Sequence, residues 1–176
     1  MIRLLAISGS LRAVSTNTTL LAAAMRLAPE GVEIEFYDGL AGLPHFNPDL
    51  DVDPPPRAVA AWRAAVGAAD GLLISSPEYA RGVPGTLKNA FDWLVSSAVF
   101  PGKPVAFFHA SERAVVAPAA WRLILETMSA RLVDGATITI PLLGRQTDAA
   151  ELASDAAVAE KIRSALHAFA AAIAAG

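Results

Sequence analysis

Three features of this 176-residue sequence predict an α/β domain with a doubly wound, five-stranded parallel sheet. Short β-type runs alternate with helical stretches along the whole length, the runs are almost continuously apolar, and polar loops follow the first, third and fourth of them. The strands are expected at Arg3–Ser8, Val32–Tyr37, Gly71–Ser76, Pro104–His109 and Ala136–Pro141, each covered on both faces. Helices are expected near Asn17–Ala28, Pro55–Ala69, Gly85–Ser96, Pro118–Arg131 and Asp155–Ala174. In the first, Leu20, Leu21, Ala24 and Leu27 share a face. In the third, Leu87, Ala90, Phe91 and Leu94 do so after Pro84, a favoured starting residue. Asp38–Pro56, with two glycines and five prolines, reads as a long irregular connection.

Length and composition fit one domain over residues 1–176, large enough to bury a core without disulfides or structural zinc. The absence of cysteine excludes a thiol nucleophile and cysteine-ligated clusters. The apolar fraction of 54% is inflated by 38 alanines, which favour helix more than membrane. The apolar tail Ala165–Ala175 is far shorter than the ~20 residues a membrane span requires and contains His167. Leu4–Ile7 is too short for an export signal, so a cytoplasmic location is expected. The 14 basic residues are scattered among 17 acids, which argues against nucleic acid as partner. His45 and His167 lack companions at metal-ligand spacing, and no metal is expected.

In an open sheet of this kind ligands bind beyond the carboxyl ends of the strands, where strand order reverses. The first such loop runs Ser8-Gly9-Ser10-Leu11-Arg12-Ala13-Val14-Ser15-Thr16-Asn17 into a helix. Unpaired N–H groups and the helix dipole suit an anion there; Ser10, Ser15, Thr16 and Asn17 can donate hydrogen bonds and Arg12 can neutralise charge. Ser15 or Thr16 acting simply as a helix cap is an equal alternative. Only Gly9 of a three-glycine dinucleotide fingerprint is present, and no Gly-Lys-Ser/Thr follows, so a single terminal phosphate fits better than either nucleotide motif. Without those glycines Asp38 is a loop residue rather than a ribose ligand.

The second loop and its helix read Pro77-Glu78-Tyr79-Ala80-Arg81-Gly82-Val83-Pro84-Gly85-Thr86-Leu87-Lys88-Asn89-Ala90-Phe91-Asp92-Trp93. Together with the first loop, this stretch resembles the NADPH-dependent FMN reductase family of quinone, azo-dye and chromate reductases. The family form GSLRxxSxNxxL is matched in full through Leu20, and PEYNxSxPGxLKNAxDW nearly so. Leu43–Asp51 also resembles the family's connection after strand two. The resemblance implies a flavodoxin-like fold with strand order 2-1-3-4-5 and non-covalent FMN. Its phosphate would be held by Ser10, Arg12, Ser15, Thr16 and Asn17, and its ring lined by Pro77, Glu78, Tyr79, Ala80 and Gly82. Backbone N–H groups of the turn that begins at Pro77 and runs to Ala80 could meet the polar edge of the ring. Tyr79 lies along the ring, at a subunit contact, or is an ordinary half-buried aromatic, and Glu78 is a structural or interface acid rather than a base.

Ala80 departs from the family's usual Asn, and Arg81-Gly82 from its variable-Ser pair. The third loop, His109-Ala110-Ser111-Glu112-Arg113-Ala114-Val115-Val116, lacks the usual glycine pair and is expected to turn less freely. By alignment with the family Ser111 approaches the flavin; His109 either reaches the ring or is an ordinary strand-end histidine. Lys88 and Asp92 are expected to form only a weak surface pair, and Trp62, Trp93 and Trp121 to anchor the core. The resemblance implies a ping-pong oxidoreductase in which NADPH or NADH reduces FMN and a quinone-like small molecule takes the electrons, in a homodimer or homotetramer. The rival readings are a flavodoxin-type electron carrier, a flavin sensor, and a relative that has lost flavin.

Overall fold

The computed structural model describes residues 1–176. Six parallel strands and six α-helices follow one another: β1 (Ile2–Ser8), α1 (Thr16–Arg26), β2 (Val32–Tyr37), α2 (Arg57–Ala68), β3 (Gly71–Ser75), α3 (Gly85–Asp92), β4 (Pro104–His109), α4 (Val116–Thr127), β5 (Arg131–Leu132), β6 (Ile138–Thr139), α5 (Ala149–Ser154) and α6 (Ala156–Ala174). The sheet order is β2-β1-β3-β4-β5, with β6 also on β4, as in a flavodoxin-like sheet. Order reverses between β1 and β3, so the crevice at their carboxyl ends is where this topology binds ligands.

β3 is buried at all five residues, as a central strand covered by helices should be. Covering of both faces does not extend to β2: Glu33 and Glu35 of this edge strand are exposed, while Ile34 points into the core. Charge on an edge strand discourages pairing with another sheet.

The fifth strand begins earlier than expected and is broken in two. Arg131–Leu132 pairs with the start of β4 and Ile138–Thr139 with its end, and a 3-10 turn at Asp134–Ala136 bulges out between them. Across the gap, the N–H of Phe107 donates to Thr137 Oγ1 at 3.1 Å in place of a strand carbonyl. The apolar run at 136–141 therefore marks only the second piece.

The terminal helix spans its expected bounds, and a short helix, α5, precedes it. Asp155 adopts an extended backbone, and its carboxylate accepts from the N–H groups of Ala157 and Val158, both at 3.1 Å, so α6 starts afresh after α5. α3 ends at Asp92, short of the expected Ser96. There the Arg63 guanidinium donates to the Trp93 carbonyl at 2.7 and 2.9 Å and to Asp51 at 2.7 Å. Lys88 and Asp92 do pair along α3.

Two apolar layers result, one under α1, α5 and α6 and the other under α2, α3 and α4. All three tryptophans are buried in the second layer, and each indole N–H has a partner. Trp62 donates to the Ala90 carbonyl at 2.7 Å, Trp93 to the Pro44 carbonyl at 2.8 Å, and Trp121 to Ser76 Oγ at 3.0 Å. Asn89 joins Trp93 in holding the long connection: its Nδ2 donates to the Pro44 carbonyl at 2.9 Å and its Oδ1 accepts from Phe46 N–H at 2.7 Å. Both residues come from the α3 motif, and they fasten the Pro-rich segment on which sequence periodicity is silent. No helix is long and apolar enough to cross a membrane.

Candidate functional site

The loops after β1, β3 and β4 enclose a cleft of about 330 Å³, a size within the usual range for small-molecule and cofactor sites. All six buried polar residues of the chain, Ser8, Ser10, Ser15, Asn17, Ser75 and Ser76, lie at the carboxyl ends of β1 and β3 or at the start of α1. Burying hydroxyl and amide groups is costly unless they are bonded, and here each finds a partner within the group or beside it. Ser8 Oγ accepts from Thr18 Oγ1 at 2.9 Å, and Asn17 Oδ1 accepts from Ser75 Oγ at 3.0 Å. Ser10 Oγ accepts from Arg12 N–H at 3.4 Å. Ser15 is the N-cap of α1 and accepts from Thr18 N–H at 3.4 Å, so the capping role is real. The cap leaves the first amides of the helix without intrahelical partners, and Ser10, Arg12, Ser15, Thr16 and Asn17 all line the cleft.

Gly9 is required by close packing. A Cβ built there would sit 2.9 Å from Ser76 Oγ, 3.1 Å from Leu87 and 3.3 Å from Pro77. The first loop thus lies directly against the second.

In the second loop Tyr79 and Gly82 exchange backbone hydrogen bonds at 3.0 and 2.9 Å across a two-residue turn. Ala80 and Arg81 occupy it with φ of 49° and 61°, the geometry of a type I′ turn, which favours Asn-Gly. The family's Asn at position 80 therefore suits the backbone itself. Pro77, Glu78 and half-exposed Tyr79 line the cleft, whereas Ala80 and Gly82 do not. Substituting Ala80→Asn with Arg81→Gly is expected to stabilise the protein by about 1 kcal/mol, because L residues with a Cβ are strained in the left-handed region. Chemical denaturation checks this, and an unchanged or lowered midpoint would refute the strain.

Glu78 reaches the third loop. Its Oε2 accepts from the N–H groups of Val116 at 2.8 Å and Ala117 at 3.0 Å, capping α4 from another segment. These bonds, that from Ala117 foremost, hold its carboxyl below the usual range and keep it ionised. With this external cap α4 begins at Val116, two residues before Pro118. No residue from 109 to 116 has a positive φ, so the loop turns without the missing glycine pair.

Ser111 lines the cleft, and its Oγ accepts from Arg113 N–H at 3.1 Å. His109 also faces the cleft, its ring stacked on Phe107 with centroids 5.5 Å apart; burial pushes its pKa down and favours the neutral form. Ser76, Ala110, Arg113, Ala114 and Leu143 complete the lining and were not singled out by sequence. Arg113 sits in the loop that departs from the motif, and Leu143 follows β6, beyond any recognisable loop signature.

A sequence model described as NADPH-dependent FMN reductase matches residues 2–143. The chain belongs to this family. Over 112 residues it is 43% identical to an NAD(P)H-dependent FMN reductase of Pseudomonas aeruginosa, covering 62% of this chain and 60% of the relative. Over 117 residues it is 40% identical to a 2-hydroxy-1,4-benzoquinone reductase of a Burkholderia species, covering 65% and 63% of the two chains. The match thus spans under two thirds of the length of these two relatives. The fold agrees throughout with the flavoenzyme NAD(P)H:acceptor oxidoreductase of Paracoccus denitrificans, at TM-score 0.84 and 26% identity over 99% of this chain and 98% of that one.

Proposed function

We propose that this chain is an FMN-dependent NAD(P)H oxidoreductase that delivers electrons to a quinone-like small molecule. The observation that carries this reading is the collection of every buried polar residue around one cleft, beside the start of α1 and the unpaired Arg12 guanidinium. That donor set fits a phosphate-bearing cofactor: hydroxyls, an amide, free helix N–H groups and a cation are present, and the one lining carboxylate is engaged with α4.

Bound FMN would supply two-electron redox chemistry, taking a hydride from NADPH or NADH and returning electrons to an acceptor in ping-pong fashion. Ser10, Arg12, Ser15, Thr16 and Asn17 would hold its phosphate, and Pro77, Tyr79 and Ser111 would bound the rest of the cleft. The protein's share is placement and electrostatics, so no side-chain nucleophile is required. Glu78 orients the β4–α4 loop through its bonds to the Val116 and Ala117 N–H groups, which lower its carboxyl's pKa and make it a weak base. The relatives' names support both the nicotinamide donor and the quinone-type acceptor. Leu11, Val14, Tyr79, Val115 and Leu143 are exposed on the loops around the cleft, an apolar rim that suits a second copy of the chain in a homodimer or homotetramer. A cytoplasmic location belongs to the same proposal.

The test is a visible spectrum of the protein loaded with FMN, then NADPH under nitrogen. The flavin band is expected to bleach and to return on adding a quinone. A band unchanged by NADPH and NADH would favour an electron carrier or sensor; failure to retain FMN would remove the reading.

A further inference from the structure

We propose that Arg113 is a specificity-determining residue that receives a phosphate group of the nicotinamide dinucleotide, an anion separate from the one in the β1–α1 cradle. The inference rests on the function proposed above. Arg12 and Arg113 both face the cleft, and neither guanidinium enters a hydrogen bond or ion pair within the chain. Glu78, the one carboxylate of the lining, is taken by the α4 N–H groups. A chain of net charge −3 therefore presents two uncompensated cations in one concavity, where walls of low dielectric strengthen the field on an anion.

The two arginines stand at different places along it. β1 and β4 are separated by β3, so their loops arise two strand spacings apart, about 10 Å. Arg12 adjoins the buried hydroxyls and the open end of α1, a complete cradle for one phosphate. Arg113 has no such cradle, and the neighbouring Ser111 Oγ accepts from the Arg113 backbone N–H. That contact and the Glu78 cap fix the backbone of the loop at both ends, so Arg113 is held at the cleft while its exposed guanidinium stays free to meet a ligand. Among the reactants proposed, simple quinones are neutral and carry no phosphate, whereas NADH and NADPH bring phosphates in every turnover. The planar arginine fork matches a phosphate's oxygens.

Calorimetric titration with redox-inactive NADP+ tests this, on wild type, Arg113→Ala and Arg113→Lys, with and without added FMN and at two salt concentrations. Affinity is expected to fall about tenfold in Arg113→Ala and less in Arg113→Lys, with the gap narrowing as salt rises. FMN affinity, read by flavin fluorescence, stays unchanged. In turnover the KM for NADPH rises and the KM for a neutral quinone does not. NADP+ binding by a wild type that fails to oxidise NADPH would remove the proposed function while leaving Arg113 assigned. Equal NADP+ affinity in all three proteins, an effect on FMN alone, or no NADP+ binding by wild type overturns the assignment.

Discussion

Phe91→Ala is expected to destabilise the fold by about 3–5 kcal/mol, the usual cost of emptying a buried aromatic site, a large share of the ~5–15 kcal/mol available to a domain. Phe91 lies on α3 with no exposed surface. Its ring meets Trp121 at 5.3 Å, Phe100 at 5.6 Å and Trp62 at 6.4 Å between centroids. Three rigid neighbours tied by other contacts cannot collapse into the space, so the cavity persists. The damage should reach the cleft, because Trp121 also donates to Ser76 Oγ. Urea denaturation measures the loss, with Phe91→Leu as a milder comparison; a loss below ~1 kcal/mol would contradict this account of the core.

Arg12→Ala is the substitution expected to act most strongly on the proposed cofactor. Removing an unpaired guanidinium from a phosphate cradle forfeits a charge-assisted contact, and FMN should dissociate about tenfold more readily at low salt. Because Arg12 is exposed, screening should shrink the effect as ionic strength rises. No side-chain hydrogen bond inside the chain is lost, so thermal stability of the FMN-free protein should stay at the wild-type value. Quenching of flavin fluorescence gives the dissociation constant. An unchanged value would take Arg12 out of the phosphate site, whereas a fall in FMN-free stability would make its role structural.

Local signals carried far in some places and failed in others for identifiable reasons. β4 and β2 are found at their expected bounds because apolar runs between glycine, proline and charged residues delimit strands locally. Asp155 was legible as the start of the last helix because capping is a local interaction. The break between β5 and β6 has no local signal, since it depends on Thr137 reaching the backbone of β4, thirty residues away. The limit of α3 likewise depends on Arg63, from a different helix. Within the cleft, Ser10, Arg12, Ser15, Thr16 and Asn17 could be read as an anion site because they are neighbours at a strand–helix junction. Arg113 and Leu143 could not, since neither sits in a matching motif.

Residue order alone therefore determined the alternating parallel architecture, the polar loop at the first crossover and the family resemblance, all of which rest on periodicity and contiguous side-chain chemistry. Only the tertiary structure decided that Glu78 caps α4, that the turn at Ala80-Arg81 is left-handed, and that three distant loops share one cleft with a spent carboxylate and two free cations. Those outcomes depend on which strands are neighbours and where helices dock, which is settled by packing across the sheet and leaves no trace in a local window.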